Sequence, residues 1–322
     1  MKLAIIGYGY AKAERKVSNH DLSELVETNH DWIVERTGIH SRYISVNQNT
    51  SDLACIAAQK AIEDAKINPK DIDLILVATM TPDAQMPSTA NLVLAKLKLD
   101  HLNILAFDLN AACSGFIFGL QTASAYIESG LAKNVLVIGA EVVSKILDYS
   151  DRSTCVLFGD GAGAVIVRAD QTKTMHHFSR SIIDTEDSLS TDPIPLNGTM
   201  QLNQEFKGYL RMKGQAVYRF AVKAVEDGIN EILDKAKVSI DEIDWIIPHQ
   251  ANQRIILHVS NKMKIPMEKF YMNVAEFGNT SSASIPLALA RMKEDGLLLP
   301  NQKILLVGFG AGLSFGSSYY ES

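Results

Sequence analysis

Three residues in this chain pair a reactive side chain with a backbone context suited to catalysis: Cys113, His249 and Asn279. Cys113 stands in LNAACSGF, after an apolar run and directly before Ser114, Gly115 and a long apolar helical pattern. A thiol at a helix start faces unpaired N–H groups and the positive end of the helix, which favours the nucleophilic thiolate and lowers the thiol pKa. The neighbours Ala111, Ala112 and Gly115 are small enough to let a substrate approach. A buried structural thiol is the plainer reading of any single cysteine, and it suffices for Cys55, inside an amphipathic helical pattern, and for Cys155, beside Gly159. His249 ends the apolar run IDWIIPH, and Gln250 and Asn252 follow it. An imidazole at the carboxyl end of a strand exchanges protons near neutral pH, although a loop histidine bonded to backbone fits the same pattern. Asn279, in GNTSSAS, enters a helix rich in small side chains, where an asparagine cap is the plainer reading. The glycines of VGFGAGLSFG, at 308, 310, 312 and 316, permit close backbone approach and an oxyanion-binding amide. A dinucleotide loop is excluded there, because a strand-like tail follows instead of the helix that a phosphate-binding turn needs.

The elements that must position these groups read as alternating strands and helices. Strands are expected at Leu3–Gly7, Ile72–Ala78, Ile104–Asp108, Val135–Gly139 and within Phe158–Val167, and helices at Thr50–Ala65, capped by Thr50 or Ser51, and at Ser114–Ser129, stopped by Gly130. The second half repeats the plan. EDAKINPKDIDLILVA (63–78) aligns without a gap on DKAKVSIDEIDWIIPH (234–249), and NVLVIGA (134–140) resembles KILLVGF (303–309). Two matches in the same order at nearly the same offset point to an internal duplication. Duplication would place Asn279 at roughly the strand-to-helix position of Cys113, with the two helix starts facing each other across a pseudo-twofold axis. Ligand sites favour such interfaces.

The whole chain sets outer limits. Its 322 residues suffice for one large core or two fused ones. Net charge is -6, which argues against a general nucleic-acid binder while leaving room for a local basic patch. The N-terminus reads as a buried strand without a signal-peptide pattern, no run is long enough to span a bilayer, and the cytoplasm is the default compartment. Three cysteines without metal-ligand spacing make a disulfide framework or a zinc site unexpected.

Taken together, DWIVERTGI (31–39), AACSGF (111–116), DRSTCVLFGDGAGA (151–164), PHQAN (248–252), GNTSSAS (278–284) and GFGAG (308–312) resemble the β-ketoacyl-[acyl-carrier-protein] synthase III family, of the thiolase superfamily, from the N-terminus to Tyr320. The resemblance implies an α/β, thiolase-like duplicated fold, two similar α/β halves (1–170 and 171–322) with mixed central sheets in five layers. It implies that Cys113 takes an acyl group from acetyl-CoA or another short acyl-CoA, and that His249 and Asn279 then assist decarboxylative condensation with malonyl-ACP. By the same resemblance the Cys113 and Ala311 amides form the acyl oxyanion hole, Trp32, Arg36 and Arg152 bind CoA, and Asn252 is a buried asparagine orienting the active-site network. Arg254 and Lys262 meet the acidic carrier protein, which would let a net-negative enzyme bind a negative partner. Met86 matches a gate to the acyl pocket, often phenylalanine, supplied across a homodimer interface; methionine leaves a differently shaped cavity. No metal or organic cofactor is implied.

Rival readings are weaker. A thiolase needs a second catalytic cysteine, and none follows Cys155. A hydroxymethylglutaryl-CoA synthase needs a glutamate where TMTPDAQM (79–86) offers only Asp83, and chain-elongating synthases use a second histidine where Asn279 stands. A specialised starter-unit synthase of the same subfamily and a non-catalytic carrier-binding scaffold remain open.

Overall fold

Short apolar runs rich in Val, Ile and Leu become the strands of two buried sheets, in a computed structural model that describes residues 1–99, 103–194 and 208–322. The first sheet contains β1 (Leu3–Lys12), β2 (Leu74–Ala78), β3 (Leu105–Leu109), β4 (Asn134–Glu141) and β5 (Gly161–Ala169), in the order β1-β5-β4-β2-β3. β2 runs parallel to β3 and β4, whereas β5 is antiparallel to both β4 and β1. The second contains β6 (Met175–Ser181), β7 (Trp245–Pro248), β8 (Lys303–Gly310) and β9 (Ser314–Glu321), in the order β7-β8-β9-β6. β7 and β8 are parallel, and the remaining pairs are antiparallel. The two sheets are therefore the same mixed pattern, with β7, β8, β9 and β6 standing for β2, β4, β5 and β1. An isolated parallel bridge from Ile246 to Phe270 occupies the place of β3.

The helices that matter here are α1 (His30–Thr37), α2 (Thr50–Ala65), α3 (Thr89–Lys96), α4 (Gly115–Glu128), α5 (Gly214–Ala236), α6 (Gln253–Met263) and α7 (Ser284–Glu294). α4 and α7 lie between the sheets; α2 and α3 cover the outer face of the first, and α5, backed by α6, covers that of the second. These are the five layers of the thiolase fold. The repeat seen in the sequence is physical: α2 and α5 both end on a left-handed lysine, Lys66 and Lys237, and both lead through a single 3-10 turn into the strand that follows. The start of α2 differs from expectation. Its cap is Asn49, whose backbone N–H donates to Asp52 at 2.8 Å, while the Ser51 hydroxyl and amide instead bind Asp83 at 2.6 and 2.9 Å. Asp83, the residue weighed against a catalytic glutamate, thus ties the 79–86 loop to α2.

The central layer is the core. Phe116, Ile117 and Leu120 of α4 and Ile285, Ala288 and Leu289 of α7 fill the space between Leu76, Val137 and Val165 on one sheet and Ile247, Ile304 and Leu306 on the other. Truncating one such side chain to Ala costs about 2–5 kcal/mol, through lost burial and the cavity left behind. Two glycines set how closely the halves approach. A Cβ on Gly139 would lie 2.2 Å from the Ser282 carbonyl oxygen, and one on Gly163 would lie 2.2 Å from the Leu287 amide nitrogen. The start of α7 can therefore seat on the first sheet only because β4 and β5 carry glycine there.

Candidate active site

Two strained turns meet at the interface of the halves. Ala112–Ser114 forms a 3-10 turn that starts α4, and Ser281–Ala283 forms another that starts α7. Ala112 and Ser281 adopt φ +45 and +50, unusual for residues with a Cβ. Each turn is braced by an asparagine two residues before its strained residue: Asn110 Oδ1 accepts from the Ala112 amide at 3.1 Å, and Asn279 Oδ1 from the Ser281 amide at 2.8 Å. This corrects the expected pairing. Asn279 corresponds to Asn110, and the residue corresponding to Cys113 is Ser282.

Cys113 is buried, and Gly310 at the end of β8 packs directly on it: a Cβ there would come within 2.8 Å of the Cys113 amide nitrogen. The glycine-rich segment is thus the close approach that its composition predicts, and Ala311 follows in the same cavity wall. The sulfur lies 3.3 Å from Ser281 Oγ. Burial pushes the thiol up to about 12, opposed by the Ser281 hydroxyl. Loss of water around the sulfur therefore opposes the thiolate that the helix start favours.

His249 is 2% exposed, and burial holds its imidazole down to about 3, so it is neutral at physiological pH. Its Nδ1 is 2.7 Å from Ser284 Oγ, the first residue of α7, and its ring meets Phe309 edge-on with centroids 5.0 Å apart. Ser284 Oγ accepts from the Gln250 amide at 3.4 Å. Where the Ser284 hydroxyl turns its proton to Nδ1, the ring carries its own proton on Nε2, facing away from Ser284. Asn279 is 7% exposed; its amide and carbonyl bridge to Leu157 O at 2.9 Å and Gly159 N at 3.0 Å, so the DRSTCVLFGDG segment holds it in place. With its oxygen committed to the Ser281 turn, the Asn279 NH2 group is the end that can donate.

Cys113, His249 and Asn279 line one cavity of about 720 Å³. Trp32, Arg36, Arg152, Asn252 and Arg254 also line it and are more exposed, which marks the mouth. Trp32 sits near the start of α1, where its amide caps onto Asn29 Oδ1 at 2.8 Å, and the guanidiniums of Arg152 and Arg36 lie 5.2 and 6.0 Å from its ring. Asn252 departs from expectation. It is only half-buried and caps α6, accepting from the Arg254 amide at 2.8 Å and donating to Arg36 O at 3.0 Å, so it joins the mouth rather than the buried network. Lys262 is paired with Glu226 at 2.7 Å on the α5–α6 surface. Met86 is 82% exposed and is not part of this chain's own cavity wall.

Two site residues escaped the sequence reading. Ser284 was legible only as part of a small-residue motif, and Glu141 was hidden at the end of an apolar strand, where its five polar neighbours come from two separate segments, 79–81 and 281–282. Among the described residues no group of His, Cys, Asp or Glu has an arrangement that could hold a metal ion, and no helix is long and apolar enough to cross a membrane.

Known proteins share this architecture and sequence. Residues 107–186 match the family model for 3-oxoacyl-[acyl-carrier-protein] synthase III, and residues 233–322 match that for its C-terminal part. A β-ketoacyl-[acyl-carrier-protein] synthase III of Clostridium acetobutylicum is 46% identical, over 97% of this chain and 96% of its own length. The crystal structure of the Aquifex aeolicus 3-oxoacyl-[acyl-carrier-protein] synthase III superposes with a TM-score of 0.92 at 41% identity, covering 99% of this chain and all of that one. The Pseudomonas aeruginosa structure of the same name gives 0.91 at 36% identity, covering 100% of this chain and 98% of that one.

Proposed function

Because the chain belongs to the β-ketoacyl-[acyl-carrier-protein] synthase III family, we propose that it condenses a short acyl-CoA, acetyl-CoA foremost, with malonyl-ACP and so initiates type II fatty-acid synthesis. The observation that carries this reading is the meeting of a buried thiol, a neutral imidazole and a carboxamide in one cavity with a cationic, aromatic mouth. In the first half-reaction the Cys113 sulfur attacks the thioester carbonyl, the C–S bond to CoA breaks, and the cysteine proton ends on the departing CoA thiol. The Cys113 and Ala311 amides bind the tetrahedral oxyanion. In the second, malonyl-ACP loses CO2 and keeps the bonding electrons as an enolate, whose oxygen accepts from His249 Nε2–H and the Asn279 NH2 group. Neutral donors stabilise that oxygen without protonating the carbon. The enolate carbon then attacks the acyl-cysteine, releases 3-oxoacyl-ACP and returns the thiolate, which takes up a proton.

The mouth suits the carriers. Trp32 offers a face for adenine and Arg36 and Arg152 offer charge for phosphates, while Arg254 and Lys262 give the acidic carrier protein a basic landing. As proposed, the reaction uses CoA and ACP thioesters and no metal or prosthetic group. The two halves, 1–170 and 171–322, divide the work between nucleophile and enolate stabilisation. We take the working unit to be a cytoplasmic homodimer: β3 is an edge strand with Leu105 half exposed, and the projecting Met86 would reach a neighbour's acyl pocket.

The test is intact-protein mass after exposure to competing acyl-CoAs, beside Cys113→Ala, followed by malonyl-ACP. A mass gain on the native chain only, discharged as 3-oxoacyl-ACP, is the expected result. Failure to acylate with any short acyl-CoA overturns it.

A further inference from the structure

Glu141 ends β4 with its carboxyl fully buried between the strained Ser281 turn and residues 79–81. Its Oε2 lies 3.1 Å from Thr79 Oγ1, 2.5 Å from Thr81 Oγ1 and 3.2 Å from the Met80 amide. Its Oε1 lies 3.2 Å from Ser281 Oγ and 2.8 Å from Ser282 Oγ. Proton counting constrains this cluster. The Thr81 hydroxyl accepts from the Val142 amide at 2.9 Å and that of Thr79 from the Thr81 amide at 3.1 Å, so both turn their protons to Oε2. Ser282 Oγ, however, is also 2.8 Å from the Ala78 carbonyl oxygen, which can only accept. The single Ser282 proton goes to that carbonyl, and the contact with Oε1 then needs a proton on the carboxyl itself. Burial pushes the Glu141 carboxyl up in the same direction.

Resting on the reading of Cys113 as the nucleophile, we propose that Glu141 is a neutral acid and a positioning residue: it fixes the Ser281 hydroxyl, which in turn holds the Cys113 sulfur. While the thiol is protonated, S–H donates to Ser281 Oγ at 3.3 Å and Ser281 donates to Oε1. When the sulfur becomes anionic, Ser281 reverses its proton toward the sulfur, while the Oε1 proton stays on Ser282 and the uncharged carboxyl does not oppose the turn. No proton is gained or lost by the chain of donors. An ionised Glu141 would do the opposite, holding the Ser281 proton away from the sulfur and repelling its charge. The left-handed backbone of Ser281 is the strain that keeps its hydroxyl aimed between the two groups.

The charged groups around the pair are few. Lys145 Nζ binds the carbonyls of Thr81 and Pro82 and faces Asp83 and Asp160 ahead of Glu141, with Asp52 beyond; His249 is neutral. The experiment is the pH profile of Cys113 alkylation by iodoacetamide, located by peptide mass, in the native chain and in Glu141→Gln, Ser281→Ala and Ser281→Gly. Gln keeps an uncharged donor and an acceptor oxygen in place of the acid, and Gly removes the hydroxyl while relaxing the backbone, so a fold defect is separable from loss of the chain. We expect both Ser281 variants to slow alkylation about tenfold at a given pH, and Glu141→Gln to stay within about twofold of native. The native-minus-Glu141→Gln infrared difference spectrum should show the carbonyl stretch of a protonated carboxylic acid. Tenfold faster alkylation in Glu141→Gln, absence of that band at neutral pH, or an unmoved profile in Ser281→Gly overturns the proposal. Native protein that alkylates at Cys113 but takes no acyl group from acyl-CoA refutes the proposed function instead, and leaves this series intact.

Discussion

The two ends of the parallel strand pairs show how one architecture acquired two chemistries. In the first half β2 ends in Ala78, and the start of α4, Gly115, packs against it so closely that a Cβ there would meet the Ala78 methyl at 3.0 Å. In the second half the aligned pair is His249 and Ser284, joined by a 2.7 Å hydrogen bond. The following turns invert the arrangement: Cys113 in the first faces the position of Ser282 in the second, although Ala112 and Ser281 share one backbone conformation and Asn110 and Asn279 brace them alike. Duplication supplied the scaffold twice. The Ala78–Gly115 contact is apolar and close, whereas the polar His249–Ser284 contact holds an imidazole in place.

If the halves divide the reaction in this way, His249→Ala and Asn279→Ala should each reduce condensation about 10²- to 10³-fold, the loss typical of an oxyanion donor, while Cys113 still acquires the acyl mass. Equal loss of acylation would break the comparison. Gly139→Ala attacks the seam between the halves. Its Cβ would meet the Ser282 carbonyl, a backbone group that cannot rotate away, so denaturant unfolding should show about 1–3 kcal/mol lost. Ser284→Ala makes the second half resemble the first at this contact; with Nδ1 unpartnered, condensation should fall about tenfold with the acylation rate unchanged, measured as separate half-reactions.

The smallest effect concerns histidines that differ in use. His177, between Ser124 and Ser318 and away from the cavity, is held down to about 3 by burial, as His249 is. Each takes up a proton in the unfolded chain below about 6.5 but not in the folded one until near 3. Stability therefore falls as pH drops through that window, by up to about 1.4 kcal/mol per pH unit for each histidine. Melting temperatures followed from neutral pH down to about 4 should decline less steeply in His177→Gln; an unchanged slope would show that His177 is not buried neutral.

Much of this was legible along the chain. The aligned segments 63–78 and 234–249 disclosed the duplication because the same helix end, turn and buried strand must be written with the same apolar pattern wherever they occur. The six motifs located Cys113, His249 and Asn279, whose chemistry is a property of residue type and local context. What the linear pattern could not supply was anything that depends on which segments meet. Asn252 read as buried and lies at the mouth, because its partner is Arg36, 216 residues away. The helix start favours a thiolate at Cys113, and desolvation by two packed halves, invisible along the chain, opposes it. Glu141 carried no signal at all at the end of its strand, since its meaning comes from Ser281 and Ser282, brought to it across the domain seam. The sequence by itself determined the repeat, the periodicities and the identity of the reactive groups, which local chemistry dictates. Their protonation and partners were decided only in the tertiary structure, because burial and hydrogen bonding are properties of the whole packed neighbourhood.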